Sequence, residues 1–536
     1  MKINKCLYFF VFWACLSSSH AQTRLDKSEL IREAVESLQT APFIQEEPVR
    51  NSDAIRQFYK ANQYKSIWFE RNQLTENAHA LLEAIAYASN EGLLPIDYHS
   101  RFLNEKSMFE EDFSPAQYDL LFTDALLTYG QHLLLGKVNP ETLSAEWRAN
   151  KRNFDAISVL QRVVSGESVA FILKSLEPTQ SRYDRLKTTL SQLRAQEEMR
   201  WSILSLQPAI KPGMADPRLQ DIAHRLSFWG DLNQAALNED KVVLYEQDIV
   251  EAVKRFQARH GLEVDGVIGA ATLRALNVSV SQRIKEITVN LERWRWLDKE
   301  FGNRFLVVNI AAFDLRIYDN NQVVLQKPVI VGKSYRKTPV FSDAIRQIVF
   351  NPTWTVPRKL VLQDKLPEIK KDRSYLDRMG FTLFELNSSQ PVAAETVDWA
   401  ALSSRSFPYR MVQAPGPLNA LGQVKFMFPN DYDVYLHDTP SRELFGKSER
   451  AFSSGCIRVF EPLTLAAFLL QNQSWDMDKI NDVISTGKTT SVTLKQPMPV
   501  HIEYWTAWVD RTGKLNFRND IYQRDEPLFS ALMQPL

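Results

Sequence analysis

The residues best suited to chemistry in this sequence are one cysteine and one histidine. Cys456 lies in Ser453-Ser454-Gly455-Cys456-Ile457-Arg458, and the other two cysteines, Cys6 and Cys15, fall in an N-terminal stretch patterned like an export signal. Without that stretch the thiol has no partner for an intrachain disulfide, so it is either inert in a core or free and reactive. The small residues beside it favour the second reading, because they let the backbone turn tightly and a substrate approach. His437 stands nineteen positions upstream. A cysteine and a histidine brought together by folding make a nucleophile and its base. The thiolate is the attacking species, and a free cysteine with a pKa of about 8.5 is mostly protonated at neutral pH. An imidazole within hydrogen-bond reach takes that proton and later returns one to the leaving group. Attack on an amide carbonyl builds charge on its oxygen, for which the backbone N–H groups around Gly455 and Cys456 are candidate donors.

The neighbouring residues have narrower candidate roles. Read as a strand, Asp433 to His437 turns Val434 and Leu436 one way and Asp433, Tyr435 and His437 the other. Tyr435 is therefore a candidate to assist. Arg458 either grips a substrate carboxylate in a bidentate pair or makes a salt bridge inside the loop. Ser454 is assigned to the loop and its oxyanion side, and Ser453 is grouped with Arg458 as a substrate contact, with holding the loop or the histidine as the other role open to both serines. Neither serine is assigned as a nucleophile, which would be redundant beside the thiol.

This constellation resembles the signature of L,D-transpeptidases of the YkuD type, in which a histidine is followed at a distance by Ser/Thr-His-Gly-Cys and an Arg or Asn. Here fifteen residues, 438 to 452, separate His437 from Ser453. Ser454 departs from the commoner second histidine, and Ser-Ser-Gly-Cys is similar to the wording of the large periplasmic subfamily with a helical scaffold domain. The resemblance implies a cysteine acyltransferase acting on peptidoglycan. Cys456 would attack the third residue of a tetrapeptide stem and expel the terminal D-alanine. The side-chain amine of diaminopimelate on a second stem would then open the thioester, giving a 3→3 cross-link. It also implies attack on carbapenems, a part in cell-wall organisation and cell shape, and other cell-wall synthases as candidate partners. Water or a protein lysine as acceptor, making a carboxypeptidase or an anchoring enzyme, stays open. So does a wall-binding scaffold protein with a vestigial site.

The elements that must position these residues suggest a multidomain α+β chain. Residues 1–21 have the form of a signal peptide: Lys2 and Lys5, an apolar run from Leu7 to Leu16, then Ser19-His20-Ala21. That run is shorter than the ~20 residues a membrane span needs, which favours cleavage and a periplasmic location, with an uncleaved anchor as the alternative. Residues 25–205 carry apolar positions at helical spacing (Leu81, Leu82, Ile85, Ala86; Leu120, Leu121, Leu126, Leu127) and form the helical scaffold domain. His79, His99 and His132 are scattered there and read as satisfied structural groups. Residues 213–278 contain Phe256-Gln257, Gly261-Leu262, Asp265-Gly266, Gly269 and Thr272. That wording resembles the small three-helix peptidoglycan-binding domain, whether it binds or only spaces. From Arg304 short β-branched runs begin, and 304–487 is assigned to the β-rich catalytic domain. Within it, 360–420 is too long and irregular for a connection and is assigned as a cap or lid. Residues 488–536 are assigned as a tail with a hairpin, Val500–Val509 and Leu515–Tyr522. The 64 basic and 64 acidic residues cancel, which argues against a nucleic-acid partner. No His/Cys ligand cluster or phosphate-cradling Gly-rich loop is present in the sequence, so no metal or cofactor is expected.

Overall fold

A computed structural model describes residues 27–71, 73–104, 114–148, 152–233, 244–298, 301–403 and 406–536; the signal stretch at 1–21 lies outside them. No helix among the described residues is long and apolar enough to cross a membrane.

The scaffold region is organised around the helix Pro115–Leu135. Its start is fixed by a reciprocal cap: the Gln117 N–H donates to Ser114 Oγ, and the Ser114 N–H donates to Gln117 Oε1. Leu120, Leu121, Phe122, Leu126 and Leu127 are fully buried, because other helices surround this one on nearly all sides. The polar groups it buries are partnered. Asp119 accepts from Tyr59, Ser66 and two backbone N–H groups. His99 sits between Glu47 at 2.6 Å and Asp124 at 2.8 Å, and His132 meets the Tyr98 hydroxyl at 2.9 Å. These two histidines are structural.

Three helices, Leu219–Phe228, Gln247–Arg259 and Ala270–Leu276, share one small core. The residues that give this module its wording are its internal ties. Buried Gln257 donates to Asp265 at 3.0 Å, to the Val267 carbonyl at 3.0 Å and to Thr272 at 3.2 Å, and accepts from the Gly266 N–H at 2.9 Å. That network fixes the Asp265-Gly266 turn.

From Arg304 the chain builds one nine-stranded sheet. The strands are β1 (Arg304–Asn309), β2 (Asp314–Asp319), β3 (Gln322–Gly332), β4 (Phe341–Phe350), β5 (Val424–Met427), β6 (Leu436–His437), β7 (Ala451–Ser453), β8 (Ile457–Val459) and β9 (Thr490–Glu503). Their spatial order is β7-β3-β8-β6-β5-β4-β9-β1-β2, and β2 also pairs with β3, so the sheet curls back on itself. Inside lie Leu306, Ile317, Ile348, Phe426, Leu436, Ile457 and Ile502. The reading of 488–536 as a tail needs correction here. Residues 490–503 are an inner strand, parallel to β1 and antiparallel to β4, and Val500 and Ile502 are buried in the sheet core. The hairpin is shorter than expected, pairing only Ala507–Val509 with Leu515–Phe517. It docks the three-helix module: the Arg259 guanidinium donates to the Leu515 carbonyl, Arg518 donates to the Arg259 carbonyl, and His260 stacks on Phe517.

The insertion between β4 and β5 is not irregular. A four-stranded antiparallel sheet orders Pro391–Val392, Phe381–Glu385, Tyr409–Gln413 and Trp354–Thr355. A helical stretch from Arg358 to Lys371 packs on it, and Ile369, Leu383, Trp399 and Met411 form its own core. Its first strand starts at Trp354, ahead of the expected 360.

Candidate active site

β6 is two residues long and lies between two partners, antiparallel to β5 and parallel to β8. The register sets Lys425 opposite His437, and His437 opposite Arg458; Leu436 faces Ile457. Since side chains alternate along a strand, Lys425, His437 and Arg458 share one face while Leu436 and Ile457 fill the core. One step back in the same register, Tyr435 comes beside Cys456, and its ring meets that of His437 at 5.6 Å. The expected alternation thus holds for Val434, Tyr435, Leu436 and His437. Asp433 departs from it, with a left-handed φ of 54°.

The loop bearing the thiol is held from within and from behind. Gly455 has φ +120°, a conformation a side chain would strain. Its carbonyl accepts from Thr338 Oγ1 at 2.8 Å, and its N–H donates to Ser453 Oγ at 3.1 Å. Ser453 Oγ in turn donates to the Cys456 carbonyl at 2.5 Å. Two expectations change as a result. Ser453 is buried with its hydroxyl used inside the loop, so it is a brace and not a substrate contact. The Gly455 N–H is already spent, which leaves the Cys456 N–H as the candidate oxyanion donor. Tyr522 supports the same loop at one remove, accepting from the Thr338 N–H at 3.0 Å and donating to the Gly332 carbonyl at 2.7 Å.

Cys456 is a half-buried free thiol. Its polar neighbours are the Asp433 carbonyl at 3.8 Å and Tyr435, which offers both its backbone N–H and its hydroxyl. Burial pushes the thiol up to about 11, against the pull of Tyr435 and then of Arg458. Tyr435 is itself approached by the Trp354 indole, from the first strand of the insertion. His437 is buried, and its Nδ1–H donates to the Asp438 carbonyl at 2.5 Å, which leaves Nε2 as the acceptor nitrogen. Burial first, then Arg458 and Lys425, bring its pKa down to about 3. Among the described residues His437 is not a hydrogen-bond partner of the sulfur, and burial favours the neutral form of both the thiol and the imidazole. Such bonds commonly tighten only when substrate is present.

Arg458 makes no ion pair among the described residues, which removes the loop salt bridge as its role. Its Nε is buried without a partner, and Glu443 acts on it only at a distance. Ser454 is exposed and accepts from Arg336 Nη1 at 3.1 Å. The same guanidinium grips Asp364 of the insertion with contacts of 2.5 and 2.6 Å. Lys425 and Arg336 carry no signal of a site role in the sequence, because only the strand register and the fold of the insertion bring them here.

Residues 303–502 match the family described as the L,D-transpeptidase catalytic domain (YkuD). Residues 216–276 match one described as "Putative peptidoglycan binding domain", and residues 53–190 one described as a scaffold domain. A Haemophilus influenzae protein named "Putative L,D-transpeptidase" is 36% identical over 244 residues, covering 46% of this chain. The match covers 49% of that protein, so the chain spans about half the length of this curated relative. Among solved structures, an L,D-transpeptidase from Mycobacterium smegmatis is 12% identical with a TM-score of 0.18, covering 38% of this chain and 58% of its own. An L,D-transpeptidase from Stackebrandtia nassauensis is 12% identical with a TM-score of 0.21, over 56% and 97%.

Proposed function

Because the chain carries an L,D-transpeptidase catalytic domain behind a scaffold domain and a peptidoglycan-binding domain, we propose that it is an L,D-transpeptidase of peptidoglycan. The observation that carries the reading is the single sheet face on which Cys456, His437, Tyr435 and Arg458 converge. In the first step, the Cys456 thiol loses its proton to His437 Nε2, and the sulfur attacks the carbonyl carbon of the third stem residue. The charge on the carbonyl oxygen faces the Cys456 N–H. The C–N bond to the terminal D-alanine then breaks, and its amine leaves with the proton from His437. In the second step, the side-chain amine of diaminopimelate on another stem attacks the thioester. An amide forms, the C–S bond breaks, and the thiol is restored with a proton.

A thioester is open to water as well as to amines, so transfer requires the acceptor to be held in place. Good orientation supplies effective molarities on the order of 10⁵ M or more, enough to outrun water. The folded insertion beside Ser454 supports a role in closing over the thioester. The reading includes export through residues 1–21 to the periplasm, where this substrate lies.

Incubation with a carbapenem followed by intact mass measurement tests the nucleophile. We expect one adduct on the natural chain and none on Cys456→Ala; an adduct on the alanine variant refutes the assignment. Muropeptide chromatography with mass spectrometry tests the product, expected as dimers linked through two third residues. Tripeptide alone, with acceptor stems in excess, would make the protein a carboxypeptidase.

A further inference from the structure

The face that carries His437 also carries two cations with no carboxylate to answer them. Lys425 and Arg458 stand on either side of His437 in adjacent strands. Lys425 is half-buried, with its ammonium 5.6 Å from the centre of the Tyr435 ring. Neither cation makes an ion pair among the described residues, whereas buried Lys137 pairs with Asp97, and Arg336, near the catalytic loop, pairs with Asp364. The nearby carboxylates are turned elsewhere. Asp438 accepts from the Gln423 N–H at 2.9 Å and lies 3.5 Å from Arg442. Asp433 and Glu443 act on Cys456 and Arg458 without reaching either cation as a salt-bridge partner.

A half-buried ammonium and a half-buried guanidinium flanking one imidazole are costly without an anion, and the cost falls on His437 as well, whose protonated form both cations oppose. We propose that Lys425 and Arg458 form a two-cation seat for a carboxylate of the acyl donor, and that an occupied seat lets His437 accept the Cys456 proton. The free site then rests with thiol and imidazole both neutral. An anionic donor cancels the two fields at the moment its carbonyl arrives over the sulfur. A neutral acyl compound fills the same space without that effect. This inference rests on the transpeptidase reading for the identity of the donor, a stem peptide bearing free carboxylates. The part played by Lys425 is separable from it.

The test uses two small electrophiles of nearly equal size, iodoacetate and iodoacetamide, on the full-length protein, with adducts at Cys456 read by intact mass. The ratio of the two rates cancels changes in the sulfur's own nucleophilicity. Relative to the same ratio for glutathione, the natural chain is expected to favour iodoacetate. Lys425→Met should lower the ratio by about fivefold, the upper end of what one solvent-screened charge pair contributes, and Lys425→Arg should restore most of it. An unchanged ratio in Lys425→Met, with Cys456 still labelled by iodoacetamide, overturns the seat while leaving the nucleophile standing. If neither reagent labels Cys456 in any form of the protein, the nucleophile fails and the seat fails with it.

Discussion

Replacing Tyr435 by Phe removes one atom that matters, the hydroxyl offered to the Cys456 sulfur. Burial pushes this thiol up to about 11, and the Tyr435 N–H and O–H are the first groups pulling it back. A hydrogen bond to a charged group is worth about 1.5–3 kcal/mol. At about 1.4 kcal/mol per pKa unit, its loss moves the thiol up by about one to two units. The sign follows directly: below its pKa the site holds less thiolate at every pH. A more basic thiolate is also a better nucleophile, which returns about half of this on a log scale, so alkylation by iodoacetamide at pH 8 should be about 3- to 15-fold slower in Tyr435→Phe. Both proteins should gain about tenfold in rate per pH unit from pH 8 to 10, with no plateau in that range. Second-order rates from intact mass measure this, with a thermal unfolding midpoint near that of the natural chain to exclude misfolding. An equal or faster rate in the variant refutes the account of the sulfur. A plateau beginning near pH 7 would refute the neutral resting pair.

His437→Ala should slow acylation by donor stems by about 10² to 10⁴, the usual contribution of a general base, as measured in single turnover. Arg336→Ala cuts the tie between the insertion, at Asp364, and the catalytic loop, at Ser454; muropeptide analysis should then show more hydrolysed tripeptide relative to dimer. The module at 213–278, which has its own core, should sediment with purified sacculi when expressed alone. Retention in the supernatant at every salt concentration would make it a spacer that works through its dock on the Leu515–Phe517 strand.

The sequence made the local part of this site readable. The unpaired cysteine and the nineteen-residue separation identified Cys456 and His437, and strand alternation put Val434 and Leu436 in the core and Tyr435 beside His437. What it could not carry was pairing between distant segments. Lys425 faces His437 only through the β5–β6 register, and Trp354 reaches Tyr435 only because it begins the sheet of the insertion. Val500 and Ile502 read as a strand, but their partners lie in β1 and β4, and a local reading offers only the nearby hairpin in their place. Spacing leaves Ser453 and the Gly455 N–H open to substrate roles, because the hydrogen bond that joins them depends on a loop conformation it does not reveal. The Gln257 network shows the converse. There the family wording was legible because those residues close the fold of the module, which is a separate matter from what it binds.

The brace behind Gly455 also has a consequence for how the protein is made. Thr338 and Tyr522, which fix the thiol loop from behind, are separated by 184 positions, and Cys456 lies between them in the chain. Synthesis runs from the N-terminus, so a nascent chain presents its cysteine before the tyrosine that shapes the loop has been added. Until that residue arrives and β9 has inserted between β1 and β4, the thiol belongs to an unfinished surface. The shape of the thiol loop therefore depends on a residue 66 positions beyond Cys456.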